Sequence, residues 1–157
     1  MAAELFFDLN DVDLAGEVVS REKVAELNPQ CGPMRQLDRV IWLSGDSLNG
    51  LGVKKVTDDE FWVPYHIPGR PLMPGVLMIE AAAQLCSVMR AVRFGDGKFL
   101  GFARCDDVAF RGQVVPGDTL YILGRELSCK QRRHVSAAQG VVDGKLVFEA
   151  KITGLVM

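Results

Sequence analysis

At 157 residues and 17.2 kDa the chain has the length of one domain with one core and is too short for two domains of ordinary size. With 48% hydrophobic and 24% charged residues, 16 Gly, 7 Pro and no biased run, the composition excludes global disorder. Eighteen Lys and Arg against twenty Asp and Glu leave a formal charge of −2, so there is no basic excess to hold a phosphate backbone and nucleic acid is excluded as an expected partner.

The first twenty residues carry Glu4, Asp8, Asp11, Asp13 and Glu17 and no Lys or Arg, the reverse of a secretory or organellar leader, which predicts a cytoplasmic protein. Ser20 followed by Glu22, Val24, Ala25 and Leu27 predicts a short N-capped helix ending before Pro29, and the segment ahead of it reads as an arm. Extended stretches over 37–43 and 48–56, separated by Ser44-Gly45-Asp46-Ser47, predict a hairpin. Residues 64–74 hold four of the seven prolines, which forbid both helix and paired strand and predict a stiff loop.

Pro74 suits the first turn of a helix, and from Gly75 to about Val92 the pattern is apolar on nearly every face, so this helix should be enclosed by the rest of the chain. Glu80, Gln84 and Arg90 within it argue against a membrane span, because charges at mid-bilayer cost about 2.5–3.5 kcal/mol each. Extended runs then recur over 99–110, 119–129, 135–142 and 145–156. The last alternates, with Leu146, Phe148, Ala150 and Ile152 on one face and Lys145, Val147, Glu149 and Lys151 on the other, and Asp143-Gly144 before it signals a type I′ turn. One helix with about six mainly antiparallel strands predicts an α+β architecture, a sheet folded over a buried helix. Cys31, Cys86, Cys105 and Cys129 lie 55, 19 and 24 residues apart with no Cys-x-x-Cys pair, and read as reduced, mostly buried thiols rather than a metal or redox site.

Two histidines limit the choice of acid or base. His66 lies in the proline-rich loop, where a stiff backbone suits a positioned imidazole, although for a lone His a packing or surface role comes ahead of catalysis. Glu80 interrupts an apolar helix, where an unpaired carboxylate must find partners or give up its charge. Gln84 is four residues on, on the same helix face, in reach of a hydrogen bond that would orient Glu80, and a purely structural Glu80–Gln84 network is the alternative. Gly75 and Val76 open the helix with backbone N–H groups that have no intrahelical acceptor, a turn able to hold a developing oxyanion.

The run from His66 through Ile67-Pro68-Gly69-Arg70-Pro71-Leu72-Met73-Pro74-Gly75-Val76-Leu77-Met78-Ile79-Glu80 to Ala81-Ala82-Ala83-Gln84 resembles the signature of the bacterial 3-hydroxyacyl-acyl-carrier-protein dehydratases, the FabA/FabZ-like hot-dog enzymes. Val108-Ala109-Phe110-Arg111 with Val114-Val115-Pro116-Gly117-Asp118, Asp38-Arg39-Val40 and Val142-Asp143-Gly144-Lys145 also match in order, so the resemblance covers about residues 37–157. It implies an N-terminal arm and short helix over 1–36 and one hot-dog dehydratase-like domain over 37–157, an antiparallel β-sheet wrapped around a long central α-helix. It implies further that two subunits pair edge to edge into a homodimer, often within a hexamer that is a trimer of dimers, and that the active site lies between them.

By position, His66 matches the catalytic histidine, Glu80 the carboxylate supplied by the partner subunit, Gly75 and Val76 the turn whose amides bind the thioester carbonyl, and Gln84 the support of the carboxylate. The implied reaction is dehydration of a 3-hydroxyacyl thioester, carried on acyl carrier protein, to a trans-2-enoyl thioester in fatty-acid or related acyl biosynthesis. No cofactor is implied, in keeping with the absence of a metal-ligand spacing or a phosphate-binding Gly motif. Two departures stand out: Tyr65 replaces the small residue usual before the catalytic His, and residues 29–37 differ from the family's usual segment. A non-catalytic acyl-binding hot-dog protein and a hot-dog thioesterase are the rival readings. Lys130, Arg132, Arg133 and His134 form a dense basic cluster expected at a solvated hairpin tip, or as a steering surface for an acidic carrier together with Arg70, Arg90, Arg93 and Arg104.

Overall fold

The structure, a computed structural model, describes residues 4–157; residues 1–3 of the expected arm lie outside the described residues. Six strands, β1 (Arg39–Leu43), β2 (Asn49–Lys55), β3 (Leu100–Phe110), β4 (Thr119–Lys130), β5 (Arg133–Val142) and β6 (Lys145–Val156), form one sheet in the order β1-β2-β4-β5-β6-β3. Every neighbouring pair is antiparallel. The sheet wraps the long helix α2 (Gly75–Phe94), the hot-dog arrangement expected from the sequence, while α1 (Arg21–Leu27) lies ahead of it. The hairpin turns follow their residues: Asp143 and Gly144 both have positive φ, as a type I′ turn requires, and Ser20 caps α1 by accepting from Lys23 N.

By length and composition alone α2 would cross a bilayer, yet 67% of its most apolar 18-residue window is buried inside the fold, which makes it the core helix. Leu77, Met78, Ala81, Ala82, Leu85, Val88 and Met89 pack with Leu120, Ile122, Ala138, Phe148 and Ile152 of the sheet. Small residues on the sheet permit the close approach: a Cβ on Gly124 would stand 2.8 Å from Met89 Sδ. The other sheet face is covered by the arm. Leu5, Phe6, Phe7, Leu9 and Val12 lie over Ile41, Leu51, Val53, Leu123 and Val141, and the Gln139 side chain bonds the arm backbone at Phe6 N (2.9 Å) and Glu4 O (3.0 Å). Val19 bridges Val40, so the arm also covers part of the β1 edge. β3 is left as the open edge, with Phe102, Val108 and Phe110 exposed.

Three expectations need correction. Val147, placed on the polar face of β6, is buried, because a bulge opposite Gly140 and Val141 makes it the extra residue and turns it into the core. Of the four thiols only Cys86 is buried; Cys31 is exposed, and Cys105 and Cys129 are half-buried. His134 does not belong to a solvated basic tip: it pairs with Cys129 across β4 and β5 and is 3% exposed, since its side chain faces α2.

Candidate active site

The stiff loop positions His66 from its backbone outward. Trp62, itself buried, accepts from both Tyr65 N (3.0 Å) and His66 N (2.8 Å), and Met73 N donates to Val114 O (2.8 Å), which ties the loop's end to the chain after β3. The exposed imidazole has its Nδ1 2.8 Å from Leu72 O. A carbonyl oxygen only accepts, so Nδ1 carries the hydrogen, and in the neutral ring the lone pair is on Nε2. The loop therefore fixes both the orientation and the tautomer that a general base needs.

Glu80 is oriented by Gln84, which is 1% exposed and whose amide is fully used. Its Oε1 accepts from Gln36 N (2.9 Å) and Leu37 N (3.0 Å), and its Nε2 donates to Met34 O (2.7 Å) and to Glu80 Oε1 (2.8 Å). Two backbone N–H donors on the amide oxygen settle which end faces Glu80. Gln84 thus presents a donor, Glu80 Oε1 acts as its acceptor, and Oε2 is the oxygen left free. Asn28, also buried, donates to the Gln84 carbonyl at 3.1 Å and steadies the same turn of α2. The groups on residues 34–37 that hold Gln84 are all main-chain atoms, so the unusual side chains of that segment do not disturb the network. Replacing Gln84 by Met is expected to leave buried donors and an acceptor unpaired, each costing about 1–3 kcal/mol, and to lower the denaturant midpoint and the activity together. An unchanged midpoint would show that the network contributes nothing to the fold.

α2 begins at Gly75 directly after Pro74. Leu77 N returns to Pro74 O at 2.9 Å, while among the described residues no loop carbonyl or side chain takes the Gly75 or Val76 N–H. Val76 is 69% exposed, so this amide turn opens outward. Glycine lets the ring of Phe110, at the end of β3, lie close over this turn: a Cβ on Gly75 would stand 2.6 Å from that ring and displace it. Tyr65 is 80% exposed and among the described residues its phenol makes no hydrogen bond, so it stands clear of the chain's own core. Tyr65→Gly is expected to keep the fold, at about 1 kcal/mol for the added backbone freedom, and to broaden or improve acceptance of acyl substrates. Loss of turnover in a folded Tyr65→Gly protein would instead give the phenol a chemical role.

The structure does not gather these residues into one cavity. Glu80 lines a cavity of about 100 Å³ between α2 and the β3–β6 end of the sheet, with Ala83, Cys86, Phe99, Phe102 and Ile152, and His66 is not among its lining residues. A larger cavity, about 640 Å³, lies by Arg21, Arg35, Asp38, Lys55 and Phe61 and holds none of the expected site residues. Sequence reasoning missed the contributions of Trp62, Leu72, Asn28 and Phe110, which act through a carbonyl, an amide or a ring edge and carry no motif. It also missed a cluster of possible metal ligands, Glu126, Cys129 and His134, whose spacing resembles no ligand motif because a strand bulge brings them together.

Against known proteins, a model of the FabA-like domain matches residues 28–151. The chain is 39% identical over 133 residues to 3-hydroxyacyl-[acyl-carrier-protein] dehydratase FabZ of Herpetosiphon aurantiacus, covering 82% of this chain and 91% of that one. It is 34% identical over 137 residues to the enzyme of the same name from Streptococcus mutans, covering 87% and 96%. Among solved structures, the dehydratase heterocomplex ApeI:P from Xenorhabdus doucetiae superposes with a TM-score of 0.72 at 17% identity, over 84% of this chain and 89% of that one. A hypothetical thioesterase with coenzyme A from Streptococcus pneumoniae gives 0.60 at 13% identity, over 76% and 84%. At those identities the last two show a common fold.

Proposed function

Because the chain belongs to the FabA-like family, we propose that it dehydrates 3-hydroxyacyl thioesters on acyl carrier protein in fatty-acid biosynthesis, with His66 and Glu80 as its base and acid. The observation that carries the assignment of roles is the polarity of the two fixed side chains. His66 offers a lone pair on Nε2 because Leu72 O occupies Nδ1, and the Gln84 amide, by occupying Glu80 Oε1, leaves Oε2 as the oxygen turned to substrate. An imidazole with a free lone pair and a carboxyl with one free oxygen, each held in place, suit the removal of a proton from one carbon and of hydroxide from the next.

In this reaction His66 Nε2 takes the α-proton of the bound thioester, and the charge that develops on the carbonyl oxygen is held by the N–H groups of Gly75 and Val76. Glu80 gives its proton to the β-hydroxyl, the carbon–oxygen bond breaks, water leaves and the trans-2-enoyl thioester remains. Proton exchange with solvent then returns both groups to their starting forms.

The assembly that fits is a homodimer paired through β3. That strand is the open edge of the sheet, it exposes Phe102, Val108 and Phe110, and Phe110 abuts Gly75 at the start of α2. Pairing there brings a second copy beside the Glu80 cavity, which Phe102 also lines, and supplies the histidine that the cavity lacks within one chain. The trimer of dimers remains the larger assembly that the family resemblance implies, and the cytoplasm is the compartment that suits an enclosed α2 and an acidic carrier.

Mass spectrometry of a panel of 3-hydroxyacyl thioesters, on carrier protein and on coenzyme A, tests the reaction. Loss of one water with the thioester intact is the expected result; release of free thiol without dehydration would replace this reading by a thioesterase, and binding without conversion by an acyl-binding protein.

A further inference from the structure

The far end of the β4–β5 hairpin assembles three groups that dehydration does not use. Residues three apart on a regular strand face opposite ways, but β4 bulges at Leu127, between the pairs Glu126–Ser136 and Ser128–Val135, so Glu126 and Cys129 both face the side occupied by His134. Cys129 Sγ lies 3.4 Å from His134 Nε2, and His134 Nδ1 lies 3.4 Å from Glu126 Oε2. The other Glu126 oxygen receives Arg93 Nη1 at 2.7 Å, and Phe94 meets the His134 ring edge-on at 5.7 Å. The imidazole is therefore fixed from three directions, with a different nitrogen turned to the thiol and to the carboxylate.

We propose that Cys129 is a nucleophilic thiol, activated by His134 and aligned through Glu126, that forms a site of oxidation by small peroxides. A nucleophile within reach of a base that a third group orients is the arrangement that activates cysteine. The Cys129 proton passes to His134 Nε2, and the thiolate sulfur attacks one peroxide oxygen. The oxygen–oxygen bond breaks, the leaving hydroxide recovers the proton from the imidazolium as water, and Cys129 becomes the sulfenic acid. Sulfur is oxidised by two electrons and the peroxide is reduced by two.

A metal centre is the competing use of the same residues, whose ligand atoms lie within 4.8 Å of one another. With Nδ1 turned to Glu126 and Nε2 to Cys129, only the thiol and one imidazole nitrogen would meet an ion at Nε2, fewer than the three or four protein ligands of zinc sites. Burial ranks the thiols differently from this geometry. Cys31 is exposed and would react first if access alone decided. Burial pushes the Cys86 thiol up to about 11, and burial with the neighbouring Asp106 raises that of Cys105.

The test treats the full-length protein with hydrogen peroxide in the presence of a sulfenic-acid trap such as dimedone and follows each cysteine peptide by mass spectrometry. Cys129 is expected to be trapped about ten times faster than Cys31 or more, and His134→Gln and Glu126→Gln are each expected to remove most of that advantage while leaving Cys31 unchanged. Glu126→Gln, nearer the surface, keeps the test decisive if His134→Gln fails to fold. Cys129→Ser should abolish the product and leave dehydration unaffected, so failure of this inference is distinct from failure of the dehydratase reading. Faster trapping at Cys31, a Cys129 rate indifferent to Glu126→Gln, or retention of one zinc(II) per chain that shields Cys129 would each overturn it.

Discussion

Replacing His66 by Ala, or Glu80 by Gln, is expected to lower dehydration by about two to four orders of magnitude, the scale of a lost general base or acid, while the fold and the assembly persist. The separation follows from how each side chain is held. His66 is exposed and its ring makes one hydrogen bond, to Leu72 O, so its removal costs the fold about 1 kcal/mol. Glu80→Gln keeps the shape and leaves an amide oxygen that can still accept from Gln84 Nε2, so the side chain remains oriented but has no acidic proton to give. Circular dichroism and sizing should therefore match the parent while turnover collapses, and near-normal turnover in either variant would end the assignment.

How far the site could be read from the sequence depends on whether a role is carried by a side chain or by the backbone. His66, Glu80 and Gln84 stand out as candidates through the motif that resembles the FabA/FabZ-like family, and by cost alone only the two polar residues four apart in the apolar helix do, since an exposed loop imidazole costs the fold nothing. Gly75 was legible as a helix start, but what lies over it was not: the ring of Phe110, thirty-five residues further on, occupies the space a Cβ would take. The tautomer of His66 rests on the Leu72 carbonyl and the aim of Glu80 on the main chain of residues 34–37, groups that every sequence has.

The fold divides in the same way. The helix and six strands follow local patterns, and the Asp143-Gly144 turn declares its type, but bulges do not announce themselves. One turned Val147 into the core against its expected face, and another put Glu126 and Cys129 on one side with His134, which the sequence alone placed in a solvated basic tip. A single extra residue in a strand reverses every side chain beyond it, and the local pattern carries no mark of where the extra residue falls.

Co-expression of His66→Ala and Glu80→Gln chains is expected to restore about a quarter of parental activity from two inactive parents, if each site takes its base from one subunit and its acid from the other. Within one chain the Glu80 cavity is lined mainly by residues of α2, β3 and β6, without His66, and the proposed pairing through the open β3 edge would bring it from a second copy. In a mixed dimer one site receives both altered residues, and the other receives an intact His66 from the Glu80→Gln chain and an intact Glu80 from the His66→Ala chain. Random pairing makes about half of the dimers mixed, and one working site of two in each gives the quarter. Sites complete within a single chain would stay inactive at any mixing ratio. Differential tags allow the mixed dimers to be purified, where recovery should rise to about half of the parental rate per dimer. Confirmed mixed dimers without activity would rule out a shared site and require His66 and Glu80 to meet within one chain.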